Sequence, residues 1–124
     1  MGAEPLVVLC TCPDEATAGR IARALVEEGL AACANAVPGV VSTYRWQGAI
    51  HEDREVLLLI KSNASAWGTL EPRLRELHPY ELPEVVAVPI VRGSAAYLGW
   101  LEAALTGVNE WSAESPPARR AYPS

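Results

Sequence analysis

Two cysteines near the amino terminus could bind a metal ion. Cys10 and Cys12 are two positions apart at the end of an apolar, β-branched run that begins at Leu6, so on a straight strand their side chains point to the same face. Paired thiolates favour soft ions such as Cu(I) or Zn(II), but two sulfurs fall short of the full tetrahedral set that a structural zinc takes. Two other roles stay open. Both thiols could be core residues, and Cys12 could be the N-cap of the first helix, where the dipole lowers a thiol's pKa.

The histidines and the third cysteine have different predicted roles. His78 ends a helical pattern just before a proline. This position suits a cation that stabilises the helix C-terminus. It equally suits one imidazole ligand of a metal site whose other ligands come from Cys10 or from a neighbouring subunit. His51 stands beside two acids after a predicted hairpin, so we expect a solvated turn residue. Cys33 follows two alanines and is expected in the core.

A second group of residues could line a small-ligand cleft between subunits: Trp46, Lys61, Tyr80 and Glu81. Polar groups among aromatic rings are typical of ligand pockets, and the same aromatic residues equally serve to pack an interface.

The chain has no Gly-rich phosphate loop, HExxH helix or GxSxG elbow. An acid–base pair could be assembled from His78 and Glu81, but one histidine beside one acid is weak evidence for catalysis. We therefore predict that the protein is not an enzyme.

Composition excludes several classes of partner. The 124 residues are half apolar and carry 10 Lys+Arg against 15 Asp+Glu, a net charge of −5. Nucleic acid is an unsuitable partner for such an acidic chain, because phosphate backbones are bound by clustered cations. The longest apolar run, Val56–Ile60, is far too short to cross a bilayer, and Met1–Glu4 lacks the basic segment of a secretion signal. Three cysteines do not make a disulfide framework. We expect a reduced, cytoplasmic protein that binds no membrane.

The apolar periodicity predicts a β-α-β-β-α-β order followed by one more helix, the ferredoxin-like split βαβ plan of an α+β protein. Pro38-Gly39 indicates a bulge, Gln47-Gly48 a hairpin turn, and Pro89 a sheet edge. Pro13 suits the first position of the first helix, Gly29 its C-cap, and Ser94 the cap of the closing helix. Pro72 predicts a kink or a late start of the second main helix.

Both faces of the predicted sheet are apolar, yet two helices can cover only one of them. Each apolar side chain left in water forgoes about 1.5–3 kcal/mol of burial. Eight such side chains would exceed the stability expected of a small domain. The sequence therefore predicts an obligate oligomer with a sheet-centred interface. The alternative is that the closing helix folds over the second face.

Seven short segments, in order and at compatible spacing, resemble the CutA divalent-cation tolerance proteins. The resemblance runs from about Leu6 to Leu105 and is carried by these segments: Val8-Leu9-Cys10-Thr11, Pro13-Asp14-Glu15, Leu30-Ala31-Ala32-Cys33, Pro38-Gly39-Val40, Tyr44-Arg45-Trp46-Gln47-Gly48, His78-Pro79-Tyr80-Glu81 and Tyr97-Leu98-Gly99-Trp100-Leu101.

The resemblance implies a ferredoxin-like subunit in a homotrimer, a similarity to PII signalling proteins, and binding of copper or another divalent metal ion. It implies Cys10 and His78 as the metal ligands. The chain departs from the family where Leu77 replaces a second histidine and Cys12 replaces a small residue. We expect one CutA-like domain over residues 1–105 and a mobile tail over 106–124. The predicted function is metal binding and tolerance; the alternative is a PII-like sensor of small molecules or signalling adaptor without catalysis.

Overall fold

Four antiparallel strands form one sheet in the computed structural model, which describes residues 3–106. The strand order is β2-β3-β1-β4. The elements in chain order are β1 (Pro5–Cys12), α1 (Glu15–Glu27), β2 (Cys33–Trp46), β3 (Ala49–Asn63), α2 (Ala64–Leu77), β4 (Val86–Pro89) and α3 (Ala95–Thr106). The predicted α+β class and element order are confirmed. The predicted tail lies outside the described residues except for Thr106, which ends α3.

The amino end of α1 differs from the sequence prediction. Asp14, rather than Cys12, is the N-cap, and its carboxylate accepts a hydrogen bond from the Thr17 amide at 2.7 Å. The helix begins at Glu15, so Pro13 lies before it. Carboxylates are strong N-caps because they satisfy an amide that has no partner within the helix and complement the helix dipole. Cys12 is thereby left as the last residue of β1.

The carboxyl end of α1 is a Schellman motif, as Gly29 predicted. Gly29 has φ +76°, and its amide bonds the carbonyl of Val26 at 3.1 Å. The Leu30 amide bonds the carbonyl of Leu25 at 2.9 Å. Glycine adopts this left-handed conformation without the steric cost of a Cβ, so it can turn the chain from α1 toward β2.

Helix α2 tolerates a proline in its interior. Asn63 caps its start by accepting from the Ala66 amide at 2.9 Å, and the helix runs past Pro72 without a break. The late start that Pro72 allowed is therefore wrong. The helix ends at Leu77 because His78 already has extended backbone, as expected of a residue before a proline. This ending fixes where the His78 side chain enters the structure.

The long β2–β3 hairpin has both predicted irregularities. Gln47 and Gly48 have φ values of 52° and 83°, as in a two-residue type I′ turn. The pairing shifts register between Val37 and Val40, which is a bulge at Pro38-Gly39. Pro89 ends edge strand β4, and Ser94 caps α3 by accepting from the Tyr97 amide at 3.3 Å. These predictions are confirmed.

One face of the sheet packs against α1 and α2 and holds the main core. Its buried residues alternate along β1 and β3 and are joined by residues of the two helices: Val8, Cys10, Cys12, Ala18, Ile21, Leu25, Ala31, Val56, Leu58, Ile60, Leu70 and Leu74. Because successive strand residues point to opposite faces, Thr11 and Glu55 belong to the other face.

The opposite face is only partly covered within one chain. Helix α3 lies against β1 and β3, and its Leu101 is buried outside the main core cluster. The alternative that the closing helix covers this face is thus partly realised. At the β4 edge, Val86 and Val88 pair with Leu9 and Val7 on that face and remain 49% and 45% exposed. None of the helices within residues 3–106 is long and apolar enough to cross a membrane.

Candidate metal centre and adjoining cavity

The two cysteines of β1 lie side by side on the buried face of the sheet. Cys10 pairs with Leu58 and Cys12 with Val56 in the antiparallel register, and both thiols are fully buried and free of disulfides. The period of two along a strand places them together, as the sequence predicted. They therefore form a dithiol pair at the carboxyl end of β1, next to the start of α1.

His78 completes a three-residue cluster. It follows the last residue of α2, and its amide bonds the carbonyl of Leu74 at 3.0 Å, so the helix end holds its backbone in place. The candidate ligand atoms of Cys10, Cys12 and His78 all lie within 4.8 Å of one another, and all three residues are buried. The structure thus brings together Cys10 and His78, the two predicted ligands, and adds Cys12.

Hydrogen bonds identify the tautomer of His78. Its Nδ1 accepts from the amide of Tyr80 at 3.1 Å, which leaves Nε2 to carry the proton and donate to the carbonyl of Thr11 at 2.8 Å. The ring is therefore neutral, and both of its nitrogens are engaged. Either nitrogen can ligate a metal ion only by giving up one of these hydrogen bonds.

The two thiols influence each other's acidity. Hydrogen bonding with Cys12, followed by burial, raises the pKa of Cys10. The same hydrogen bond with Cys10 lowers the pKa of Cys12, against the opposing effects of burial and the Glu55 carboxylate. Cys12 is thus the member of the pair that loses its proton first, and the thiolate is the form that binds metal.

The types of ligand atom in the cluster suit a soft metal ion. Two sulfurs and one imidazole nitrogen are ligands that Cu(I) and Zn(II) accept. The spread of up to 4.8 Å between ligand atoms is wider than the spacing expected around one ion with bonds of about 2.0–2.3 Å. Binding would therefore draw the three side chains together and release one hydrogen bond of His78.

The other candidate ligands lie elsewhere. Cys33 is the first residue of β2 and pairs with Lys61 on the face opposite the main core. It is only partly buried, so its predicted core position is wrong. His51 is exposed, as expected, but it lies in strand β3 rather than in the turn, where it pairs with Tyr44 and stacks on its ring with centroids 5.5 Å apart. Neither residue belongs to the cluster of three ligands.

A cavity of about 610 Å³ adjoins the cluster of Cys10, Cys12 and His78. Its lining residues come from β1, the β2–β3 hairpin and the segment after α2: Thr11, Ser42, Thr43, Tyr44, Trp46, Glu55, Tyr80, Glu81, Leu82 and Glu84. Thr11 also accepts the hydrogen bond of His78, and Tyr80 donates the other one. The cavity and the cluster therefore share β1 and the turn that follows α2.

Three of the four residues predicted for a ligand cleft line this cavity. They are Trp46, Tyr80 and Glu81. Lys61 is not among the lining residues, and its ammonium group donates to the side chain of Asn35 on β2. The place of Lys61 in a cleft between subunits stays a prediction.

Sequence reasoning missed Glu55, which is the buried acid of the cavity wall. It is 7% exposed, and its Oε2 accepts from the Tyr80 hydroxyl at 2.5 Å. Burial, and secondarily this hydrogen bond, raises the pKa of Tyr80. The available signal was the position of Glu55, which directly precedes the apolar run Val56–Ile60 on the face opposite the core.

The comparisons with known proteins agree with one another. The family model described as CutA1 divalent ion tolerance protein matches residues 6–104. The divalent-cation tolerance protein CutA of Thermus thermophilus is 56% identical over 95 residues, which are 77% of this chain and 92% of that protein. Human Protein CutA is 45% identical over 100 residues, covering 81% of this chain and 56% of its own length.

Solved structures show the same likeness. The structure of divalent cation tolerance protein (Cut A1) from Thermus thermophilus has a TM-score of 0.79 at 53% identity, with 81% of this chain and 97% of that chain covered. A structure from Archaeoglobus fulgidus, titled as a periplasmic divalent cation tolerance protein CutA, has a TM-score of 0.79 at 30% identity. It covers 82% of this chain and 98% of its own.

Proposed function

Because this chain belongs to the CutA1 divalent ion tolerance family, we propose that it binds a soft or divalent metal ion, copper foremost, and so supports metal tolerance. The single observation that carries the proposal is the cluster of Cys10, Cys12 and His78, with ligand atoms within 4.8 Å of one another. Cys10 and His78 are the principal ligands, and Cys12 is the third.

The surroundings of the cluster support reversible binding. Cys12 has a lowered pKa, so it supplies a thiolate more readily than an ordinary cysteine does. His78 is already neutral, which is the form that ligates. Its hydrogen bonds to Thr11 and Tyr80 compete with the metal and return the ring to its resting position when the ion leaves. Since metal must displace protons from the thiols, affinity falls as pH falls.

The proposal extends to the assembly and its location. The partly exposed sheet face at Val86 and Val88 supports a homotrimer in which copies of the chain cover it. The three free cysteines suit a reducing compartment, so we place the protein in the cytoplasm. The family description names tolerance to divalent ions and no reaction, which supports a role without catalysis.

A second candidate function is a PII-like sensor of small molecules or a signalling adaptor. The cavity beside Thr11, Trp46 and Tyr80 favours it, because a concave site with aromatic walls and a few polar groups is typical of small-ligand binding. In this case the ligand would occupy the cavity, and removal of Cys10 would leave its binding unchanged.

Metal titrations of matched variants test the first function. Cu(I) is titrated anaerobically against a chromophoric chelator, with the parent protein compared to Cys10→Ala and His78→Ala. Cys33→Ala is the control, since it removes a thiol outside the cluster. We expect Cys10→Ala and His78→Ala to weaken binding and Cys33→Ala to match the parent. Equal binding by all four proteins would refute the proposed site. Circular dichroism confirms that each variant is folded, and light scattering with added Cu or Zn reports the assembly.

A further inference from the structure

The cavity carries negative charge that no side chain of its wall neutralises. Three of its ten lining residues are acids, namely Glu55, Glu81 and Glu84, and none is Lys, Arg or His. The four ion pairs formed within residues 3–106 involve none of these three acids. The site is therefore suited to a cation supplied from outside the wall.

Glu55 is the most deeply buried of these three acids. It is more than nine-tenths buried, and only its Oε2 has a hydrogen bond, from Tyr80. Within the described part of the chain, no fully buried side-chain oxygen or nitrogen lacks a partner. The remaining oxygen, Oε1, is therefore accessible from outside the protein, and Glu55 is one of the residues that line the cavity. A carboxylate oxygen without a protein partner, on a side chain that is otherwise largely buried, favours binding of a positively charged hydrogen-bond donor.

Aromatic rings supply the rest of the wall. Tyr44, Trp46 and Tyr80 all line the cavity, and ring faces attract cations through their quadrupole, most strongly in Trp. The Tyr44 hydroxyl donates to Asp53, and the Tyr80 hydroxyl donates to Glu55. These bonds hold both rings in place and put a carboxylate next to each hydroxyl group.

The arrangement does not suit a bare metal ion. Within residues 3–106, the only trio of His, Cys, Asp or Glu side chains close enough to hold one is the cluster of Cys10, Cys12 and His78. The cavity carboxylates do not converge in this way, and about 610 Å³ is far more space than a single ion occupies. A cation with an apolar body fits both the volume and the aromatic wall.

We propose that this cavity binds an organic ammonium ion. Its charged nitrogen lies near Oε1 of Glu55, and its alkyl body packs on Trp46 and Tyr44. The inference rests on the second candidate function, in which the cavity binds a small molecule. It adds the chemical class of that molecule. It does not depend on metal binding at Cys10 and His78.

Calorimetric titration with charged and neutral probes tests the inference. The probes are choline, n-butylammonium and 3,3-dimethyl-1-butanol, the last being a neutral molecule with the shape of choline. We expect saturable binding of choline or n-butylammonium, and binding of the neutral analogue weaker by at least about tenfold. In Glu55→Gln, which keeps an acceptor for Tyr80, ammonium binding falls by at least about fivefold. The exposed Glu102→Gln on α3 is the matched control and binds like the parent.

Three results would overturn the inference: no binding of either ammonium probe, equal binding of the neutral analogue, or parent-like binding by Glu55→Gln. Trp46→Leu is a second variant with the same expected loss, and circular dichroism establishes that both variants fold. Titration of Cu(I) into Glu55→Gln separates the two sites. Metal binding should survive this change, while Cys10→Ala should lose Cu(I) and keep the ammonium ion.

Discussion

The Nε2–H of His78 donates to the carbonyl oxygen of Thr11 across 2.8 Å, and Thr11 lies between the two cysteines of the cluster. This bond ties the end of α2 to the end of β1, across the two elements that carry the candidate ligands. The histidine therefore holds the fold together in addition to its proposed role in binding metal.

Replacement of His78 by Ala should destabilise the protein without any metal present. The carbonyl of Thr11 and the amide of Tyr80 would lose their partner in a buried site, at a cost of about 1–3 kcal/mol in the free energy of unfolding. Urea denaturation measures this difference. His51→Ala is the control, because His51 is exposed, and it should change stability by less than about 0.5 kcal/mol. Equal effects of the two substitutions would contradict the structural role of His78.

Replacement of Cys12 by Ser should reduce affinity for soft ions. The change removes one of two sulfurs and leaves a harder oxygen, so Cu(I) affinity should fall by at least about tenfold. Competition with a Cu(I) chelator under anaerobic conditions measures the loss. Cys33→Ser provides the comparison, since Cys33 lies on the other face of the sheet. If Cys12→Ser binds Cu(I) like the parent, Cys12 is not a ligand.

Asp14 should make stability depend on pH in the acid range. Hydrogen bonds from Thr17 lower the pKa of this carboxyl below its ordinary value of 3.8. Its contribution is therefore fully present above the unfolded pKa and is lost as pH falls through the lower folded pKa. Asp14→Asn keeps a capping oxygen without the charge, so its unfolding free energy should fall less steeply than the parent's below pH ~4. Urea unfolding across this range measures both slopes; parallel curves would contradict the prediction.

Association through the open sheet face should be sensitive to charge. We expect sedimentation at three times the 13.3 kDa of one chain, and Val88→Lys should shift the protein toward a monomer, because the ammonium group would have to be desolvated in the interface. Val26→Lys is the matched control, since Val26 on α1 is 42% exposed and Val88 is 45% exposed. A parent that sediments as one chain while fully folded would refute the oligomer.

The local backbone conformation was predictable wherever only a few residue types can adopt it. Gly29 predicted the end of α1, and Gln47-Gly48 predicted the hairpin turn, because left-handed conformations strongly restrict which residues can occupy them. The pairing of Cys10 with Cys12 followed from the period of a strand. The family resemblance, rather than any spacing, supplied the association of Cys10 with His78.

Features that depend on register were not predictable in the same way. The apolar neighbours of Cys33 suggested the core, but its pairing with Lys61 places it on the other face. A displacement of one residue along a strand reverses every side chain, and the sequence before Cys33 does not specify where pairing begins. Glu55 was missed for a related reason, since only the fold brings Tyr80 to it.

Edge strand β4 has only four residues and ends in Pro89, which lacks the amide hydrogen that an added strand would need. Proteins use short, proline-terminated edges to block open-ended stacking of sheets. Growth into fibres through the β4 edge is thereby disfavoured, although the sheet face next to this edge carries exposed apolar side chains such as Val86 and Val88.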